Sequence, residues 1–209
     1  MAAVLEAASI RRLGRIGYAE AEAAMRNFTA ARDARTADEL WLVEHPAVYT
    51  LGTGAGPAHG PRTPSGIPVL QSGRGGEITY HGPGQVVLYT LVDLARRGLK
   101  VKQYVALLEQ CVIDLLALHA VRAERRAGAP GVYVRGAKVA ALGLRVARGR
   151  AYHGVALNVN MDLAPFAAID PCGYPGLAVT QTRDLGIAAS PGELGEQLAG
   201  LLLETLADA

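Results

Sequence analysis

Chemistry in this chain has to come from a small set of side chains. Its 209 residues include two cysteines, Cys111 and Cys172, and five histidines; of the 21 basic residues only Lys100, Lys102 and Lys138 are lysine. A thiol attacks as its thiolate, and roughly a few per cent of an unperturbed thiol is ionised near neutral pH, so a working cysteine needs a base or cation beside it. Cys111 falls on the apolar stripe of a strong helix pattern and reads as a small core hydrophobe. Cys172 stands in Asp170-Pro171-Cys172-Gly173-Tyr174-Pro175-Gly176, whose prolines and glycines exclude a helix interior or a central strand. This is a rigid loop near the surface, and its thiol is either incidental or a nucleophile.

The bases available to it are histidines and lysines. His119 belongs to the same helix stripe as Cys111 and reads as structural. His45, His59, His81 and His153 lie in or beside Gly/Pro loops, where a solvated or backbone-bonded ring is the default. Lys100 and Lys102 begin a helix on the surface. Lys138 differs: Gly136-Ala137-Lys138-Val139-Ala140-Ala141-Leu142-Gly143 surrounds it with small and apolar residues. Burial there would favour the neutral amine, and arginine, which this chain otherwise prefers, cannot give up its proton. The competing reading is a strand-end lysine that snorkels to solvent.

A third candidate is the run Gly73-Arg74-Gly75-Gly76-Glu77-Ile78-Thr79-Tyr80-His81-Gly82-Pro83-Gly84-Gln85. It misses the dinucleotide fingerprint because Ile78 takes the last glycine position, and Gly131–Lys138 misses the phosphate-loop register by one residue. What remains is a glycine-rich backbone with several bare N–H groups, one cation and one histidine, which suits a substrate cradle or an oxyanion site.

The elements that must position these residues are legible from periodicity. Tyr18, Ala21, Met25 and Phe28 recur at helical spacing and predict a helix over Tyr18–Ala31. Strands are expected at Leu40–Val43, ended by His45-Pro46, at Val48–Leu51, at Ile78–Tyr80 and at Gln85–Val92. Residues 53–68 read as a loop. Val101–His119 is the strongest helix. Val132–Val134, Lys138–Val146 and Ala151–Asn160 read as strands, with Arg148-Gly149-Arg150 as a hairpin turn. A last helix opens on a capping box, Ser190 with Pro191 and Glu193, and buries Leu194, Leu198, Leu201 and Leu202. Strand pairs without regular βα alternation indicate an α+β sandwich, a mixed and largely antiparallel sheet packed with helices.

Composition excludes other classes. Half the residues are apolar and the net charge is +2, which argues against disorder. The length suits one domain, taken as 1–209. Two distant cysteines make neither a disulfide framework nor a zinc cluster, and both read as reduced and intracellular. Glu6 inside the first apolar stretch, followed by Arg11 and Arg12, is the wrong order for a signal peptide, and no apolar run is long enough to span a bilayer. No basic block points to nucleic acid.

Together the motifs resemble the lipoyl(octanoyl) transferase family, octanoyl-[acyl-carrier-protein]:protein octanoyltransferases related to the catalytic domain of biotin and lipoate protein ligases. Four blocks carry the resemblance: His45–Gly52, Arg74–Gln85, Lys138–Val146, and Pro171-Cys172-Gly173 followed by Val179-Thr180. Glu77 replaces a common Gln, and Gln181 a common Ser.

The resemblance implies a biotin/lipoate ligase-like fold and a Cys–Lys dyad with Cys172 as nucleophile and Lys138 as base. It implies an acyl site lined by Arg74, Gly75, Gly76, Glu77, Ile78, Thr79, Tyr80 and His81, by Ala141, Leu142 and Gly143, and by Gly154, Val155 and Ala156. Backbone N–H groups of an Ala141–Gly143 turn, or beside Cys172, would hold the oxyanion. No cofactor and no metal are implied, and the expected compartment is the cytoplasm.

The implied donor is octanoyl-acyl carrier protein. The implied acceptors are lipoyl domains of 2-oxoacid dehydrogenase complexes and the glycine cleavage H protein, with no nucleic acid and no membrane. Arg62, Arg74, Arg145, Arg148 and Arg150 are candidates for meeting such acidic partners. The rivals are an ATP-dependent lipoate or biotin protein ligase on the same fold, a cysteine hydrolase, and a non-catalytic acyl-carrier or lipoyl-domain binder.

Overall fold

The computed structural model of the protein describes residues 8–56, 60–63, 65–170 and 176–208. Ten strands and three helices organise these residues: β1 (Ser9–Arg15), α1 (Tyr18–Ala31), β2 (Glu39–Glu44), β3 (Val48–Leu51), β4 (Val69–Gln71), β5 (Ile78–His81), β6 (Gln85–Asp93), α2 (Val101–Leu118), β7 (Glu124–Arg125), β8 (Val132–Val134), β9 (Ala137–Ala147), β10 (Arg150–Asn158) and α3 (Pro191–Ala207). The strands form a seven-stranded sheet, β1-β2-β6-β10-β9-β8-β7, and a three-stranded sheet, β4-β3-β5. Only β1 with β2 and β3 with β4 pair in parallel; the other strand pairs are antiparallel. This is the expected mixed, largely antiparallel α+β sandwich.

Apolar periodicity explains the layers. α2 and α3 bury Leu108, Val112, Leu115, Leu198 and Leu202 against Leu88, Val139, Val155 and Leu157 on one face of the large sheet. α1 covers the other face, where Ala21 and Met25 meet Trp41, Val87 and Tyr89. β6 is buried along its whole length, as a central strand covered on both faces must be. The small sheet keeps its own cluster of Tyr49, Ile78, Tyr80 and Phe166.

The helix over Tyr18–Ala31 forms with the expected bounds, and Ser190 and Glu193 make the expected capping box. Arg148 and Gly149 take the paired left-handed angles of the hairpin turn. Three strands, β1, β4 and β7, have no counterpart in the expected elements. They are edge strands, mostly exposed, and main-chain pairing with a neighbour defines them rather than any side-chain pattern. His119 is half-buried, outside the apolar stripe. It caps α2 and bonds the Gln197 side chain of α3 at 2.9 Å.

One buried charge cluster ties β2 to the segment after β6. The Asp38 carboxylate is fully enclosed and takes Arg32 at 2.5 Å, Arg96 at 2.7 Å and Arg97 at 2.8 Å. Arg97 also reaches the Leu206 carbonyl at the end of α3. Burial alone would raise the Asp38 pKa, but the Asp93 N–H and the guanidiniums outweigh it and hold the carboxyl below the usual carboxylate range.

Removing one partner of such a cluster leaves buried charge uncompensated. Asp38→Asn should therefore cost about 3–5 kcal/mol in denaturant unfolding at neutral pH. Because the native pKa is depressed, this stability is present above the unfolded pKa and lost as pH falls through the folded one, so the gap between variant and parent should narrow on acidification. A constant gap would disprove the charge-based account.

Candidate acyl-transfer site

A narrow cleft with a cavity volume of about 40 Å³ lies between the segment 74–81 and the face of β6, β9 and β10. Arg74, Gly76, Glu77, Ile78, Thr79 and His81 form one wall, and Ala141, Leu142, Gly143, Gly154, Val155 and Ala156 form the other. Two of the expected acyl-site residues stand outside this lining. Gly75 fastens the wall through its N–H to the Leu144 carbonyl at 2.8 Å, and Tyr80 packs in the small-sheet cluster. Tyr18, Val87, Tyr89 and His153 also line the cleft. Tyr18, Val87 and Tyr89 carry no signal in the sequence because an apolar or aromatic residue on a helix or strand looks like core, and His153 looks like a loop histidine. The His153-Gly154 adjacency was the one available signal.

The register explains why these walls face each other. Ala141 pairs with Ala156 and Gly143 with Gly154, so small residues on two neighbouring strands open one strip of the sheet. Ala141–Gly143 is therefore mid-strand and not a turn, which corrects the expected oxyanion geometry there. The N–H groups of 73–75 are engaged as well: Gly73 donates to Glu22 at 2.6 Å and Arg74 to the Ser72 hydroxyl at 3.2 Å. The run is a fastened wall rather than a set of bare donors.

Arg74 does the fastening. It is buried, and its guanidinium donates to the Thr50 carbonyl at 2.7 Å, to the Thr50 hydroxyl at 2.8 Å and to the Gly75 carbonyl at 3.0 Å. A Cβ at Gly52 would fall 2.3 Å from the Gly76 carbonyl oxygen, so only glycine lets β3 run this close to the wall. Arg74 is thus a structural cation and not the partner-facing one expected. Arg62 pairs with Asp170 at 2.6 Å, and Arg150 bonds Asp93 at 3.2 Å. Arg145 and Arg148 are exposed.

His45, His81 and His153 are buried rather than solvated, and His45 keeps the expected backbone bond. Rings of Tyr18, His81, His45, Tyr89 and His153 follow one another at 5.6–6.0 Å along the α1 side. His45 donates to the Ile16 carbonyl at 2.8 Å and accepts from the Tyr89 hydroxyl at 2.7 Å. His81 donates to Gln85 Oε1 at 2.7 Å. Burial lowers all three imidazole pKa values, with Arg74 adding to the effect at His81 and His153 and taking His153 down to about 3. Cys111 is buried, and burial pushes its thiol up, as befits an inert core residue.

Lys138 opens β9 and is 3% exposed. Its amine donates to the Pro130 carbonyl at 3.1 Å and stands 5.3 Å over the Tyr133 ring. Its backbone bonds Ala178 and Thr180, bridging it to Val179. Gly131 makes the room: at φ 139° its absent Cβ would sit 2.9 Å from Lys138 Cε and 2.8 Å from the Ala140 oxygen. The snorkelling alternative is therefore set aside. Cys172 lies outside the described residues, as does His59.

The comparisons with known proteins agree on the family. The family model for the lipoyl protein ligase A/B catalytic domain matches residues 17–198. The chain belongs to that family. An octanoyltransferase of Dechloromonas aromatica (strain RCB) is 57% identical over 197 residues, covering 94% of this chain and 96% of the relative. Lipoate-protein ligase A bound with ATP superposes with a TM-score of 0.78 at 14% identity, over 97% of this chain and 86% of that one. Biotin protein ligase from Aquifex aeolicus in complex with biotin and ATP gives 0.60 at 11% identity, over 96% and 71%. These two structures bear out the biotin/lipoate ligase-like fold.

The buried imidazoles carry a pH signature. Below 6.5 the unfolded chain takes up protons that the folded His153 refuses until about pH 3, so folding stability should fall as pH drops through that window. Denaturant unfolding at pH 7 and pH 5 should show the loss, and His153→Asn should reduce it. A loss of the same size in the variant would remove His153 as its source.

Proposed function

We propose that the chain transfers an octanoyl group from octanoyl-acyl carrier protein to a lysine of lipoyl domains, including those of 2-oxoacid dehydrogenase complexes and the glycine cleavage H protein. The whole chain serves as one catalytic domain, and a reduced thiol suits the cytoplasm. The observation that carries this reading is the cleft lined by the acyl-site residues, with the buried Lys138 amine three residues from Ala141 along β9. The octanoyltransferase names of relatives above half identity support it.

Lys138 takes the proton of the Cys172 thiol, and the thiolate attacks the thioester carbonyl. The tetrahedral intermediate collapses, the carrier thiolate leaves with the proton from Lys138, and octanoyl remains on Cys172. The acceptor lysine amine then attacks, its proton passes to Lys138, and the Cys172 thiolate departs as the amide forms. Thioester exchange is near neutral and amide formation is downhill, so the sequence needs no ATP. The bridge between Lys138 and Val179, seven positions beyond Cys172, supports bringing the two side chains together. Burying about seven CH₂ or CH₃ groups at roughly 0.8 kcal/mol each would contribute about 5–6 kcal/mol before losses, including the parting of the walls that seats the chain.

Purified protein, octanoyl-carrier protein and a lipoyl domain should yield the octanoylated domain without ATP, read by its mass. Product that requires ATP would favour the ligase reading, and free octanoate without modified domain a hydrolase. Lys138→Arg should lose at least about a hundredfold, since arginine keeps the charge but cannot act as a base. Gly131→Ala, which pushes on the Lys138 side chain, should lower kcat more than it raises KM. Unchanged kcat in both would remove Lys138 from the chemistry.

A further inference from the structure

The acyl cleft does not end on an apolar surface. Lys138 and His153 flank it from opposite ends: Lys138 lies before Ala141 on β9, and His153 pairs with Leu144, beyond Gly143. The six residue steps from Lys138 to Leu144 span roughly 20 Å of strand, so a chain attached at the lysine end points toward His153. His153 is 1% exposed, and neither ring nitrogen has a hydrogen-bond partner among the described residues. Its nearest carboxylate oxygen, on Glu22, is 3.6 Å from Nε2, beyond hydrogen-bonding distance. His81, 6% exposed, spends Nδ1–H on Gln85, which leaves Nε2 as a buried acceptor with no partner among the described residues. Both rings line the cleft.

A neutral imidazole offers one donor and one acceptor. Ring nitrogens closed off from water without a partner carry the cost of an unsatisfied buried group, and methylene groups beside them do nothing to relieve it. A hydroxyl at the chain terminus can instead accept from His153 and donate to a bare ring nitrogen. From this we infer that His153, with His81 beside it, is a specificity-determining polar floor, one that limits the length of all-carbon chains and accepts an acyl chain bearing a terminal hydroxyl. This rests on the acyl-transfer reading above. Low imidazole pKa values keep the floor uncharged at neutral pH, so an alkyl chain approaching it meets dipoles and not a cation.

The test is transfer to a lipoyl domain from octanoyl, decanoyl, dodecanoyl and 8-hydroxyoctanoyl thioesters. The unaltered chain should use 8-hydroxyoctanoyl within a fewfold of octanoyl and dodecanoyl at least roughly tenfold worse. His153→Leu should lower the hydroxyoctanoyl-to-octanoyl ratio of kcat/KM about tenfold and raise the decanoyl-to-octanoyl ratio. Because His153 holds φ 65°, a conformation that suits asparagine far better than leucine, His153→Asn covers the case of a misfolded leucine variant. It should also raise the decanoyl ratio, by shortening the floor. Ratios unchanged in a folded variant would overturn the inference.

A second readout does not depend on transfer. Ring ¹⁵N signals of His153 should shift with 8-hydroxyoctanoate and shift less with octanoate. If no acyl group is transferred at all, the transferase reading fails, and this measurement alone decides the floor: equal shifts, or none, overturn it.

Discussion

The buried guanidinium of Arg74 is the constraint on which the site depends. A cation removed from water must be hydrogen-bonded in place, and Arg74 meets this by gripping Thr50 of β3 and the carbonyl of its own neighbour Gly75. That grip joins the small sheet to the glycine-rich wall, and the wall in turn closes against β9 through Gly75 and Leu144. The same charge acts through space on His81 and His153 and helps keep them neutral. One residue therefore braces the wall of the cleft and adds to the burial that keeps its far end uncharged.

Opposite demands are separated along the cleft. At the Lys138 end a primary amine is held among Pro130, Gly131 and Tyr133 by carbonyl and ring contacts that orient it. At the other end the titratable groups are kept from titrating by burial. The fold is shared with ligases seen with ATP bound, and the strip of small residues beside the lysine is built within that architecture.

Much of this was legible in the residues. The α1, α2 and α3 stripes and the central strands follow from hydrophobic period, because their burial is decided by their own side chains. The edge strands were not legible, since β1 with its three arginines exists only through pairing with β2. Lys138 stood out by composition, as a lysine among small residues in an arginine-rich chain. His45, His81 and His153 looked like loop histidines because their burial comes from distant elements, α1 and the small sheet. Arg74 looked like a surface cation for the same reason: its acceptor, Thr50, lies 24 positions away.

The pairing of Cys172 with Lys138 is the central claim, and the acyl-enzyme tests it most directly. The protein is incubated with octanoyl-carrier protein without acceptor or ATP, weighed intact, then digested and mapped. A gain of one octanoyl group on Cys172, released by hydroxylamine and absent in Lys138→Arg, is the predicted result. No adduct, or an adduct on Cys111, would contradict it.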